Sequence, residues 1–165
     1  MVTRDLVLDG RRRFDLPVTV VWIDGVGLNL WAHYGPSEME APRRVLLEML
    51  HANGEYPFVK FGLSEDDRPL LMTELPPSSV TEVALGQALV RLVVVADRLL
   101  EVTAPAVASR GRLPDWEGRA GRNDPLLERY GPEVEATMPP WVSPPAPMER
   151  PPRRSWRRRL FGRGQ

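Results

Sequence analysis

Proline is spread unevenly along these 165 residues: of 18 prolines, 11 lie after residue 104. Proline lacks an amide hydrogen and its ring clashes with the preceding helical turn, so such a density opposes helix and sheet interiors alike. The distribution predicts a folded domain at residues 1–104, a proline-rich, mostly disordered linker at 105–148 and a tail at 149–165. A domain of about 100 residues can bury a real core.

Charge divides the chain in the same way. Residues 1–103 carry 15 acids against 10 bases, residues 104–148 carry 6 against 5, and residues 149–165 carry 1 against 7 arginines. The net charge of zero therefore hides an acidic body and a basic tail. There is no cysteine, which excludes disulfides and thiol nucleophiles and fits a reducing, cytoplasmic setting. The opening Met1–Asp5 leads into no apolar run of signal-peptide length, and no stretch approaches 18 apolar residues.

Within the first 104 residues the hydrophobic periods change in a definite order. Thr3–Leu8, Val18–Ile23 and Gly27–Tyr34 alternate as strands around Asp9-Gly10 and Asp24-Gly25, which predicts a three-stranded antiparallel meander. Arg43–Asn53 reads as a helix with Leu46, Leu47 and Leu50 as its buried stripe and Gly54 as its left-handed stop. Tyr56–Leu63 and Pro69–Leu75 read as a hairpin around the polar loop Ser64–Arg68. Ser79-x-x-Glu82 reads as a capping box opening a long helix to Glu101. The predicted class is α+β: an antiparallel sheet, built of the meander plus the hairpin, packed by two helices.

The long helix is apolar on more than one side, with Leu85, Leu89, Leu92, Ala96 and Leu99 on one stripe and Val90, Val94 and Val95 beyond it. One sheet face covers only one stripe of a helix. A second copy covering Val90 and Val94 is the expected solution, giving a homodimer; a fold-back of Trp116–Tyr130 is the competing one.

Catalytic chemistry has little to stand on. His33 and His51 have no partners at useful spacing, Asp24-Gly25-Val26-Gly27 precedes a strand rather than a helix, and no serine lies in a nucleophile elbow. The expectation is a protein without catalytic residues, cofactor or metal. The tail is more pointed. Arg154, Trp156, Arg157, Arg158, Arg159, Leu160 and Phe161 would, on a helix, set an aromatic-aliphatic edge against an arginine face. That suits attachment to an anionic membrane surface, at the inner face of the membrane, more than it suits nucleic acid.

The wording of the central stretch carries a resemblance. Leu46-Leu47-Glu48-Met49-Leu50-His51-Ala52-Asn53 is followed by Phe58-Val59-Lys60-Phe61-Gly62-Leu63. Leu70-Leu71-Met72-Thr73-Glu74-Leu75-Pro76 and Leu89-Val90-Arg91-Leu92 with Ala96-Asp97-Arg98-Leu99 complete it. This resembles the YbjN-like family and, more distantly, the CesT-type type III secretion chaperones, over residues 3–103. The resemblance implies an α+β domain, often dimeric, that binds extended peptide segments of client proteins. On that implication Trp22, Trp31, Tyr34 and Phe58 are the candidate peptide-binding aromatics. The alternative is a membrane-surface adaptor in which the tail is the working part.

Overall fold

A computed structural model describes residues 1–35, 42–107 and 118–140. Alternating apolar and polar residues give strands β1 (Val2–Leu8), β2 (Leu16–Ile23) and β3 (Gly27–His33). Helix α1 (Arg43–Glu55) follows, then β4 (Lys60–Leu63) and β5 (Pro69–Leu75). A single 3₁₀ turn leads into α2 (Glu82–Val107), and α3 (Asp124–Thr137) ends the described chain.

The meander and the hairpin join into one five-stranded antiparallel sheet in the order β1-β2-β3-β5-β4. The hairpin joins through β5, its second strand, so the short β4 is left at the edge. Register separates the faces. Leu16, Val18, Leu30, Ala32, Leu71 and Phe61 point to the helices and are buried. Thr19, Trp31 and Met72 occupy the opposite face. Gly27 belongs at the β2–β3 turn because its φ is +122° and a Cβ there would lie 2.2 Å from the Leu75 carbonyl oxygen.

Both predicted helices exist, with shifted details. The buried stripe of α1 is Val45, Met49 and Ala52, not Leu46, Leu47 and Leu50. Leu46 is half-buried, while Leu47 and Leu50 face solvent. Gly54 does not stop the helix; Tyr56 does, its N–H bonding to the Ala52 carbonyl at 2.9 Å. The cap of α2 is Thr81 rather than Ser79: its hydroxyl accepts the Ala84 N–H at 3.1 Å and its carbonyl accepts the Leu85 N–H.

The larger correction concerns residue 104 as a domain limit. Helix α2 runs through Pro105, and α3 lies beyond it with Tyr130, Val134 and Met138 in the same core cluster as the sheet. Proline at 125 sits in the first turn of α3, where its missing N–H is no loss. Pro132 lies inside the helix, which tolerates it because tertiary packing holds the flanking Gly131 and Val134 buried. The described residues therefore hold three α-helices where two were expected. The remainder of the expected linker, and the tail, lie outside the described residues.

Three attachments hold α3. The Tyr130 ring fills the notch left by Gly86 on α2, where a Cβ would come within 2.3 Å of the ring. Arg129 pairs with Glu82 at 2.8 Å on the surface. At the helix entrance the Asn123 amide takes both backbone groups of Asp9: Oδ1 accepts the Asp9 N–H at 2.7 Å and Nδ2 donates to the Asp9 carbonyl at 2.9 Å. The fully buried Asp9 carboxylate accepts the backbone N–H of Asp15 and of Arg122, and pairs with the Arg122 guanidinium at 3.2 Å.

A Gly86→Ala substitution tests this docking. The new methyl group should displace Tyr130 at a cost of about 1–3 kcal/mol. Chemical denaturation should show that loss, and limited proteolysis should release α3 faster than from the parent chain. Equal protection of residues 124–137 in both would count against the arrangement.

Candidate functional site

The predicted aromatic residues are not brought to one place. Tyr34 is a core residue, fully buried, with its ring edge-on to Phe61 at 5.2 Å. Thr103 gives its hydroxyl proton to the Leu99 carbonyl at 2.8 Å, so the Tyr34 hydroxyl donates to Thr103 Oγ1 at 2.6 Å. Burial pushes the Tyr34 phenol up to about 12. It has no free face for a peptide, which corrects the expectation. Trp22 and Trp31 are both half-buried but on opposite faces: Trp22 opposes Leu28 on the helix side, and Trp31 opposes Thr19 on the other.

Val90 and Val94 are also corrected. Both are buried within the single chain, and Val94 shares a crevice with Leu127 and Gly131 of α3. A fold-back within the chain covers this side of α2, but through Asp124–Thr137, which overlaps the expected Trp116–Tyr130 only in part; Trp116 lies outside the described residues. These two valines offer no surface to a second copy.

What remains is the outer face of the sheet. One row of residues crosses all five strands in register: Asp5, Thr19, Trp31, Met72 and Lys60. A second row runs Thr3, Val21, Asn29 and Glu74. A third runs Val7, Pro17, His33, Leu70 and Gly62; its Pro17–His33 step extends the β2–β3 register by one residue. None of these side chains belongs to the core cluster that the helices complete, and Val21, Asn29 and Leu70 are buried among their neighbours on this face. Trp31 and Met72 form an apolar centre with an acidic edge at Asp5; at the other edge Lys60 turns its ammonium to the Asn53 and Tyr56 carbonyls of α1.

A polar ladder fixes this face. The Thr19 hydroxyl donates to Asp5 Oδ1 at 2.7 Å, and Thr19 Oγ1 is also 3.2 Å from His33 Nε2. With its proton committed to Asp5, the hydroxyl accepts from Nε2–H, which sets the imidazole tautomer. The direction of this chain is wrong for nucleophilic catalysis, where the hydroxyl proton must pass to the imidazole. The ladder ties β1, β2 and β3 together across the face.

Phe58 stands apart from both faces. It is 67% exposed and held in the left-handed region at φ 65°, a strained conformation for a bulky residue. The Thr73 hydroxyl locks it there by donating to the Phe58 carbonyl at 2.7 Å. One side of the ring lies 4.8 Å from the Arg91 guanidinium, whose pKa burial lowers against the pull of Glu133. A β-branched or aromatic residue gives no sequence signal for positive φ, so this displayed ring could be found by type but not by posture.

Sequence reasoning missed the apolar side of α1. Leu47, Leu50 and the nearby Leu63 of β4 are all exposed, because α1 is turned by about one position from its apparent leucine stripe. Among the described residues no group of carboxylates and imidazoles is placed to hold a metal, and no helix is long and apolar enough to cross a membrane. The tail residues Arg154, Trp156, Arg157, Arg158, Arg159, Leu160 and Phe161 lie outside the described residues.

No family model matches this chain, and no curated protein does. Among solved structures it is similar to one chain of the heterodimeric ExoU–SpcU complex from the type III secretion system of Pseudomonas aeruginosa. The identity is 22%, the TM-score 0.47, and the match covers 62% of this chain and 84% of that one.

The Tyr34 bond yields a prediction with a definite sign. The folded phenol titrates higher than an unfolded one, near 10, so stability is whole below pH 10 and falls as pH rises towards about 12. Tyr34→Phe should cost about 1 kcal/mol at neutral pH and remove part of that alkaline loss. Melting curves at pH 7 and at pH 11 for both chains check it.

Proposed function

We propose that this chain is a non-catalytic protein- or peptide-binding module, and that it engages its partner on the outer face of the sheet. The observation that carries this is the row Asp5–Thr19–Trp31–Met72–Lys60. It combines a half-buried tryptophan and a methionine at the centre with a carboxylate, Asp5, at one end. Aromatic and methionine side chains at the centre of a polar-rimmed patch suit binding by apolar side chains. Sheet side chains alternate with the same period as those of an extended peptide laid across them, so extended segments are the fitting partner class.

The finer reading follows the sequence resemblance. The module acts as a chaperone of the kind seen in the YbjN-like and CesT-type groups, holding an extended segment of a client protein in the cytoplasm. No cofactor enters this reading.

A library of extended peptides screened against the full chain tests the reading. Peptides with apolar residues at alternate positions should bind, and Trp31→Ala should weaken them about tenfold or more, the loss of roughly 1.4 kcal/mol or above expected of an anchoring aromatic. The melting temperature should stay near that of the parent, since Trp31 lies outside the core cluster. A Trp31→Ala chain that folds and binds the same peptides unchanged would place the surface elsewhere.

A further inference from the structure

The exposed apolar side of α1 has a definite position. The Asn53 side chain clamps the outer edge of β4: its Oδ1 accepts the Phe61 N–H at 2.6 Å and its Nδ2 donates to the Phe61 carbonyl at 3.0 Å. Leu50 lies one helical turn before Asn53, and Leu63 lies two strand residues after Phe61. Both are therefore within about 7 Å along the chain axis of the same clamp. Leu50 is 62% exposed, Leu63 55% and Leu47 41%, a concentration of apolar surface that single exposed leucines do not make.

Beside Leu63 the surroundings are acidic. Leu63 runs directly into the β4–β5 tip, where Glu65, Asp66 and Asp67 are exposed. The cations at this end are committed: Lys60 donates to the Asn53 and Tyr56 carbonyls at the end of α1, and Arg68 pairs with Asp66 at 2.5 Å. Arg43 and Arg44 lie one turn before Leu47, so the acidic side of the patch is its Leu63 end.

The described chain leaves the body beside this patch. The Pro139 carbonyl accepts from Arg98 at 2.7 Å, and the Arg98 guanidinium lies 5.8 Å from the ring of Tyr56, the residue that ends α1. Leu50 is six residues back along α1 from Tyr56, roughly 9 Å. From Pro140 to Trp156 the sequence can span up to about 50 Å when extended, more than these linked contacts require. The segment Arg153–Arg163 then offers Trp156, Leu160 and Phe161 among six arginines and no acid.

We propose that the segment Arg153–Arg163 docks in cis on the α1–β4 patch. Trp156, Leu160 and Phe161 cover Leu47, Leu50 and Leu63, while the arginines face Glu65, Asp66 and Asp67. The patch and the segment complement each other in apolarity and, at the Leu63 end, in charge, and the tether is long enough to join them. This surface is separate from the Trp31 face, so the docking does not rest on the peptide-binding reading.

The absence of native cysteine makes a trapping experiment direct. In the full chain, Leu50→Cys with Leu160→Cys should form an intramolecular disulfide under mild oxidation at low micromolar concentration. The rate should exceed that of the same pair carrying Arg157→Glu, Arg158→Glu and Arg159→Glu by about tenfold, and should fall towards it in 0.5 M salt, where exposed charges are screened. A Thr3→Cys, Leu160→Cys pair, with its first cysteine on the exposed β1, sets the background rate. Rates for the Leu50 pair equal to that background, or unaffected by charge reversal, would overturn the proposal. Predominantly intermolecular disulfides would overturn it too, by assigning the patch to a neighbouring copy. So would background-level trapping in a chain that sediments with anionic vesicles, since the tail would then belong to a membrane surface.

Discussion

Helix α2 is apolar around most of its circumference, and the arrangement of the other elements follows from covering it. Ala88, Leu92, Val95, Ala96 and Leu99 are buried together with Val90, Val93 and Val94, so no single sheet face or single helix could remove them all from water. The sheet and α1 take one side. The other side needs a helix, and α3 supplies it from a part of the sequence whose proline content argues against one. Each valine left in water would forgo about 1.5 kcal/mol or more of burial, which is why a 14-residue helix of modest propensity becomes worth ordering here.

The glycine and the carboxylates around that contact make it specific rather than merely greasy. Gly86 lets Tyr130 approach the α2 backbone, and a larger residue would hold α3 away. Asp97, on the same helix, accepts the backbone N–H groups of Arg11, Arg12 and Arg13 at 2.6–3.0 Å. Burial pushes its carboxyl up, while those three donors pull it down. Asp9 and Asn123 then join the β1–β2 loop to the entrance of α3. Asp15 completes the loop on the outside, its carboxyl lowered by Arg119 and Arg122. The arginine run at 11–13 is thus largely a backbone feature: three successive N–H groups gathered on one carboxylate.

Strand order within each hairpin, the α+β class and helices α1 and α2 were legible because they rest on local period and turn chemistry, which a single sequence carries. The pairing of β3 with β5 was not, since nothing in either strand names its neighbour. The stripe of α1 misled for a physical reason. Leucines at 46, 47 and 50 look like the obvious core, but Val45, Met49 and Ala52 are the set that fits against Phe61 and Tyr34. Binary pattern shows that a helix has an apolar side; which of two overlapping sides turns inward is settled by the shape of what it meets. Tyr34 illustrates the same limit, since only the tertiary position of Thr103 shows that its hydroxyl is already used.

The two edges of the sheet are treated differently, and this bears on assembly once α2 is covered within the chain. At β4 the Asn53 amide occupies the N–H and C=O of Phe61, standing where a further strand would pair. At β1 the outer backbone groups of seven residues face no strand among the described residues. A symmetric copy could pair there only antiparallel, about a two-fold axis normal to the sheet, which keeps residues of one face opposite one another. The register that uses all of β1 sets Asp5 against Asp5. Sliding the centre one residue either way leaves a ladder of five residues, with Arg4 against Arg4 in one direction and Leu6 against Leu6 in the other. Like charges directly opposite are destabilising, so Asp5 and Arg4 disfavour two of these three registers, including the one that uses the whole strand.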